Sequence, residues 1–374
     1  MARPRLLFTL GDAAGVGPEV AAGALCDART AACCRPAVIG DPAVLRRALD
    51  LLPPNSRHAD GPSGAKSNKE VRVEAANNPA GLFDGPPGVV RCFDPTGGLA
   101  REAPPGQVSG AAGKAAHDWL VAAADLCLAG AAEGIVTAPL NKAALAAGGV
   151  THPGHTEILA ERCGRPGEPA EVRMTLHLPP GPANLRDFPL GPDGLTVAHA
   201  TLHTSIASVP GLLTVDRVAG TGRLLDEFLT RIAASRRRIG VCALNPHGGE
   251  GGLFGGEEEE TIAPAVERLR AEGRDVHGPI PADTLFRQAA AGAFDAVAAI
   301  YHDQGHIALR LIGWGRAVNV TLGLPIVRTS PSHGTAFDIA WTGEADPEGM
   351  IGAVQVAAKL ATVEGSMTKA QETH

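Results

Sequence analysis

Short aliphatic runs recur along the chain, each followed by a glycine, a proline or a polar residue. Leu6–Leu10, Ala37–Gly40, Gly134–Ala138, Leu195–Ala200, Arg238–Leu244, Ala296–Tyr301 and Ala317–Leu322 are apolar at most positions rather than at alternate ones. Strands buried on both faces of a parallel sheet have that pattern. Between them lie longer segments with apolar residues at helical spacing: Ala111–Leu128, Gly222–Ala234, Glu257–Glu272 and Pro347–Val363. The alternation predicts a wound α/β fold. No internal repeat is visible. Pro53–Asn68 and Pro179–Gly194 are rich in Pro and Gly and read as inserted loops. The polar tail after Val363 is expected to fray.

The length, 374 residues, suits one large domain or two ordinary ones. Aromatic residues make up only 3%, so the core must be aliphatic. A net charge of −7 argues against a general nucleic-acid binder, though a local cationic pocket remains compatible with it. The seven cysteines form no CxxC pair and fit neither a disulfide framework nor a zinc knuckle. They read as small buried residues in a reducing compartment. No apolar run is long enough to span a bilayer, and Gly11-Asp12 cuts off the first one, which reads as a strand rather than a signal peptide. A cytoplasmic location is expected, with no membrane and no nucleic-acid partner.

Candidate chemistry concentrates between His152 and His333, at the ends of predicted strands, where open α/β sheets bind ligands. Gly154-His155-Thr156-Glu157 opens a helix, whose free N–H groups would suit an anion or simply a cap. His199 and His203 are four apart and read as the end of a strand, sharing a face by period two. His247 follows a strand and leads a glycine-rich stretch that is neither a dinucleotide fingerprint nor a Walker loop. His302 and Asp303 follow another strand. Singly, each could be a structural residue. Together, three strand-exit histidines, one of His199 and His203 with His247 and His302, suit an open metal site with room for substrate oxygens as well as they suit a mixture of structural histidines. Arg310, Arg316, Asn319 and Arg328 suit a phosphate or carboxylate, although ordinary surface arginines have the same spacing.

The ordered motifs Thr9-Leu10-Gly11-Asp12 through Gly17-Pro18-Glu19, Thr137-Ala138-Pro139-Leu140-Asn141-Lys142, Gly154-His155-Thr156-Glu157, Asn245-Pro246-His247, Gly278-Pro279-Ile280-Pro281-Ala282-Asp283-Thr284, Tyr301-His302-Asp303-Gln304-Gly305 and Asn319-Val320-Thr321-Leu322-Gly323-Leu324-Pro325 cover nearly the whole chain. In this the sequence resembles the 4-hydroxythreonine-4-phosphate dehydrogenase family of pyridoxal phosphate biosynthesis. The resemblance implies a divalent metal (Zn, Mg or Co) on His203, His247 and His302. It implies substrate contacts from His155, Thr156, Arg310, Asn319 and Arg328, and acidic residues Asp283 and Asp303 close to the metal as proton acceptors. Ser332-His333-Gly334-Thr335-Ala336-Phe337-Asp338-Ile339-Ala340 resembles the adenosine loop of isopropylmalate and isocitrate dehydrogenases. That implies a two-domain fold similar to theirs, with the active site in the interdomain cleft and NAD or NADP held by His333, Gly334, Thr335, Ala336 and Asp338. The expected domains are 1–136 with 323–374, and 137–322. A homodimer with its active site at the interface is implied as well.

The sequence departs from the family pattern at several points. Arg310 replaces a Lys, Ala13 a Pro and Trp341 a Gly. Thr201-Leu202-His203, His306 and Ala336–Ala340 lean toward catabolic branches, the 4-phospho-threonate and aromatic dihydrodiol dehydrogenases. The Gly-His-Thr-Glu motif favours a phosphorylated substrate. The expected reaction is therefore oxidation of a small phosphorylated hydroxy acid, 4-hydroxythreonine 4-phosphate first among them, to a 3-keto acid that decarboxylates. A metal-dependent hydrolase and a non-catalytic metal- or phosphate-binding protein are the rival classes. The hydrolase would leave the His333–Ala340 loop unexplained, and the binding protein would bind metal but form no reduced nicotinamide.

Overall fold

The computed structural model describes residues 2–52, 71–165, 167–181, 189–313 and 315–371. The Pro53–Asn68 insertion and residues 182–188 of the second one lie outside the described residues. The chain divides into two compact units, Met1–Val172 with Leu324–His374, and Arg173–Gly323.

In the first unit the strands are β1 (Arg5–Thr9), β2 (Arg35–Ile39), β3 (Arg72–Ala76), β4 (Val89–Phe93) and β5 (Gly134–Thr137), followed much later by β12 (Val327–Pro331). They lie in the order β3-β4-β2-β1-β5-β12 and are parallel throughout. Leu6, Leu7 and Phe8 of β1 are fully buried, as a strand covered on both faces requires. The helices are α1 (Gly17–Cys26), α2 (Ala28–Cys33), α3 (Pro42–Leu51), α4 (Gly110–Leu128), α5 (Lys142–Ala147), α6 (His155–Cys163) and the last, α12 (Glu348–Gln371). Ser109 starts α4, its hydroxyl accepting from the Ala112 N–H at 3.3 Å. Chain order leaves β1 toward β2 on one side, while β5 lies on the other. The gap between their carboxyl ends is therefore the topological switch point.

In the second unit come β6 (Arg173–Leu178), β7 (Leu195–His199), β8 (Ile239–Cys242), β9 (Val276–Ile280), β10 (Ala296–Ala299) and β11 (Val318–Leu322). Their order is β11-β6-β7-β10-β8-β9. Strands β7, β10, β8 and β9 are parallel, so their carboxyl ends share one edge. The helices here are α7 (Val209–Leu212), α8 (Val215–Arg231), α9 (Ala263–Ala271), α10 (Ala282–Ala290) and α11 (His302–Gly313).

Three expectations need correction. Segment 137–172, expected in the second domain, belongs to the first unit, because α5 and α6 pack against α4. The second unit is mixed rather than parallel, since β6 runs antiparallel to both β11 and β7. Helix α12 continues past Val363 to Gln371 instead of fraying there. The segment 257–272 is helical but begins with a π-turn at Glu258–Ile262 before α9.

Candidate active site

Two groups of predicted residues are assembled, one in each unit. In the first unit β5 and β12 are neighbours, with Ile135 opposite Arg328. Arg328 is buried, and its Nε and Nη2 donate to the Thr137 hydroxyl at 3.2 and 2.8 Å. Burial lowers its pKa from 12.5 to about 10, with Glu157 working weakly the other way. Just past β5, the Ala138 carbonyl accepts a hydrogen bond from the ring of His155, the first residue of α6. Burial, with the charge of Arg328 second, pushes the His155 pKa well below its ordinary value. His155 is thus neutral, and Thr156 follows it in the first turn. A buried guanidinium and the free N–H groups of a helix start face the same region. Both are electropositive. Glu157, in the same first turn, is the acidic side chain whose charge reaches Arg328.

The cofactor-loop residues His333, Gly334, Thr335, Ala336 and Asp338 follow β12 directly. The Thr335 carbonyl accepts from the Val16 N–H at 3.0 Å, which ties this loop to the β1–α1 turn. Ala336 takes a positive φ of 40° and Trp341 one of 63°. The latter explains why glycine suits position 341. Here the indole Nε1 of Trp341 donates to the Ala13 carbonyl at 2.8 Å, and the Arg47 guanidinium lies 4.0 Å over its ring. Two of the departures from the family pattern, Ala13 and Trp341, therefore touch each other. Glu19, buried in the first turn of α1, accepts from the Trp341 and Gly343 N–H groups at 2.5 and 2.8 Å and fixes the end of the loop.

In the second unit the three predicted metal histidines leave adjacent parallel strands. His203 lies beyond β7, His302 begins α11 beyond β10, and His247 lies beyond β8. Only His199 is on the strand. His203 sits in the irregular segment after it, so the two do not share a strand face as expected. The rings of His203 and His302 are 5.8 Å apart, centroid to centroid, beside a hollow of ≈ 530 Å³ that Ser205, Tyr301 and Asp303 help to line. His247 is exposed. Among the described residues, no three His, Cys, Asp or Glu side chains are grouped closely enough to hold a metal. The expected triad is thus a pair plus a separate third member.

Two of these rings are held by carboxylates. His302 Nδ1 lies 2.7 Å from Asp303 Oδ1, and His247 Nδ1 lies 3.0 Å from Glu250 Oε1. An ionised carboxylate only accepts, so each Nδ1 carries a proton, and in the neutral ring that places the lone pair on Nε2. Behind His302, the ring of buried His306 stacks at 3.8 Å and 9°. His306 Nδ1 lies 3.1 Å from His199 Nε2, and His199 Nδ1 lies 3.3 Å from the Met174 carbonyl. That carbonyl fixes the direction of the chain: His199 Nδ1–H donates to it, and His306 Nδ1–H donates to His199. Burial lowers His199 to about 4 and His306 to about 3, so both are neutral. Gly305 permits this approach, because a Cβ there would lie 2.4 Å from His199 Nε2.

Asp283 is exposed in the first turn of α10, and Arg310 is exposed on α11. Asn319 is partly buried on β11. Thus His155, Thr156 and Arg328 lie in the first unit, and Arg310 and Asn319 in the second. Sequence reasoning missed Thr137, Glu19, Gln304 and Glu258. Gln304 joins two strand exits, accepting from the Ile300 N–H at 2.6 Å and donating to the Ala243 carbonyl at 2.8 Å. It stands inside a motif already singled out for its histidine. Glu258 gives no local signal, since its partners lie 13 and 14 positions away.

Known proteins resemble this chain over nearly its whole length. Residues 32–357 match the family described as pyridoxal phosphate biosynthetic protein PdxA. A 4-hydroxythreonine-4-phosphate dehydrogenase of Geobacter metallireducens is 42% identical, over 97% of each chain. A D-threonate 4-phosphate dehydrogenase of Cupriavidus necator is also 42% identical, over 96% of this chain and 98% of that one. The crystal structure of a 4-hydroxythreonine-4-phosphate dehydrogenase from Burkholderia phymatum superposes with a TM-score of 0.74 at 40% identity, covering 96% of this chain and 99% of its own. With matches of this extent in both sequence and structure, the chain belongs to the PdxA family.

Proposed function

We propose that this chain is a nicotinamide-dependent dehydrogenase acting on a secondary hydroxyl of a small phosphorylated hydroxy acid. 4-Hydroxythreonine 4-phosphate is the first choice, the substrate named for the Geobacter relative. 4-Phospho-D-threonate is the second, favoured by the equal identity to the Cupriavidus enzyme. The observation that carries the reading is the buried Arg328 beside the start of α6. A guanidinium with neutral His155 and the first turn of a helix offers the cationic and N–H donors that a phosphate takes.

Arg328, Thr156 and neutral His155 would bind the phosphate. Arg310 and Asn319 would offer cationic and amide donors to substrate in the second unit. His203, His247 and His302 would hold a divalent cation, and their donor chemistry suits one: imidazoles, two of them fixed as Nδ1–H tautomers. When bound, that cation supplies Lewis-acid polarisation of the substrate hydroxyl, and the nicotinamide accepts the hydride. Asp303 is already engaged with His302, which favours a role in orienting that ring. Asp283 would then take the hydroxyl proton, directly or through water. The β-keto acid formed from 4-hydroxythreonine 4-phosphate would lose carbon dioxide to give 3-amino-2-oxopropyl phosphate. The His333–Asp338 loop would seat the adenosine of the cofactor.

The chain would act as a homodimer that shares its metal site, the second copy bringing its own His247 toward His203 and His302. The separation of His247 from that pair supports this. So do exposed Ile206, Leu253, Phe254, Ile307 and Leu311 on the segments that carry the three histidines. The test of function is reduced-nicotinamide formation from 4-hydroxythreonine 4-phosphate, 4-phospho-D-threonate and their dephosphorylated counterparts. Turnover confined to a phosphorylated member supports the reading. Equal turnover of dephosphorylated compounds removes the role given to Arg328.

A further inference from the structure

Beyond Cys242 the chain leaves β8 and enters a turn with six consecutive positive φ values: His247 54°, Gly248 71°, Gly249 83°, Glu250 47°, Gly251 64° and Gly252 91°. His247 and Glu250 carry side chains there, where an L-residue is strained by roughly 1–2 kcal/mol. No strand or regular helix contains this turn. Its backbone bonds include Gly248 N–H to the Asn245 carbonyl at 3.2 Å, Gly251 N–H to the Gly249 carbonyl, and Gly252 and Phe254 N–H to the same carbonyl at 3.0 and 3.1 Å. A contact from outside the turn also fixes its direction.

That role falls to one buried carboxylate. Glu258 is 4% exposed and opens the π-turn before α9. Its Oε1 accepts from the Leu244 and Asn245 N–H groups at 2.8 and 2.7 Å, and its Oε2 from the Asn245 side-chain amide at 3.0 Å. Glu257 accepts from that amide too, at 2.8 Å. The carboxylate lies directly under the turn, since a Cβ on Gly249 would come 2.8 Å from Glu258 Oε2. The backbone is thus gripped two residues before His247. Charge-assisted bonds of this kind are the strong ones.

We propose that Glu258 is a positioning residue for His247, and that its carboxylate sets how tightly the protein grips a divalent cation. This rests on the reading of His247 as a metal ligand. Neither Glu258 nor Asn245 touches the cation. They act through the aim of the His247 backbone, and loss of such an outer partner weakens metal binding by roughly 10–100-fold. Glu258→Gln keeps the volume but turns one acceptor into an amide donor facing the Asn245 amide.

The experiment is a spectroscopic Co²⁺ titration of the full-length, metal-free protein, comparing wild type, Glu258→Gln and His247→Ala. The expected result is Co²⁺ affinity at least about tenfold weaker in Glu258→Gln, with cooperative unfolding kept and kcat restored at saturating metal. If His247→Ala weakens binding while Glu258→Gln matches wild type, the positioning role is overturned and the metal reading stands. If His247→Ala matches wild type, the metal reading falls and this proposal with it. Should Glu258→Gln not fold, Asn245→Ala, which strips one donor from the carboxylate, carries the same test: weakened Co²⁺ binding supports the role and unchanged affinity overturns it.

Discussion

Replacing Arg328 by Met tests the proposed anion seat and its cost together. Burial depresses the guanidinium from 12.5 to about 10. That is about 2.5 units, or about 3 kcal/mol set against the charged form in the folded chain. A base whose folded pKa is lowered bears this cost wherever it is protonated. The penalty is therefore constant below about pH 10 and fades only as pH rises from there toward 12.5. Met fills much of the volume without the charge. It forfeits the two bonds to Thr137, worth about 1 kcal/mol each. The Thr137 hydroxyl keeps its contact with the Thr329 carbonyl at 3.5 Å. The charge removed offsets the bonds forfeited, so the ligand-free variant should lose no more than about 2 kcal/mol of stability, by the same amount at pH 6 and pH 9. Binding moves the other way. A charge-assisted bond to phosphate is worth about 1.5–3 kcal/mol, so KM for the phosphorylated substrate should rise roughly 10–150-fold. Urea unfolding and initial-rate kinetics on the same preparation read both effects. A variant that loses more than about 2 kcal/mol of stability yet keeps its KM would refute the reasoning.

Buried Asp12, with Oδ1 on the Ala14 N–H at 2.9 Å and Oδ2 without a hydrogen-bond partner, has its pKa raised by burial from 3.8 to about 6. Its penalty is absent below pH 3.8, grows up to about pH 6 and is complete above that, so Asp12→Asn should gain about 1–3 kcal/mol at pH 8 and nothing at pH 3.5. Identical pH profiles of stability in the two proteins would count against it. Mixing His203→Ala with His247→Ala should restore about a quarter of wild-type activity if the metal site is shared across a symmetric dimer, because half the dimers are mixed and each has one intact site. No recovery on mixing means that each chain supplies its own triad. Exposed Asp338 would favour a ribose diol over a 2′-phosphate, so Asp338→Ala should narrow the preference for NAD over NADP about tenfold. An unchanged ratio of affinities, measured by equilibrium binding, would remove Asp338 from the adenosine site.

The strands that could be read from sequence are those whose burial is mostly aliphatic: β1, β2, β5, β7, β8, β10 and β11 all coincide with apolar runs. Five others were missed, and their residues explain why. Strand β12 buries Arg328, Thr329 and Ser330, so its polarity reads as a ligand site rather than as a strand. Strand β6 buries Arg173, Thr175 and His177. Strand β9 contains Gly278-Pro279, which breaks a strand pattern. Strands β3 and β4 alternate in burial with charged residues, as a half-covered edge does. The histidines were legible because strand ends are where chemistry collects. Their grouping was not, because whether His247 reaches His203 and His302 depends on a left-handed turn and on Glu258, which lies 11 residues beyond it.

The central claim is that a divalent cation held by His203, His247 and His302 is needed for oxidation of a phosphorylated hydroxy acid. It is tested most directly by stripping the protein with a chelator, supplying NAD and 4-hydroxythreonine 4-phosphate or 4-phospho-D-threonate, and returning divalent metal stepwise while following reduced nicotinamide. The account predicts no signal without metal and a saturable return of rate with it, lost in His302→Ala. Undiminished oxidation in the chelated wild-type protein would contradict it.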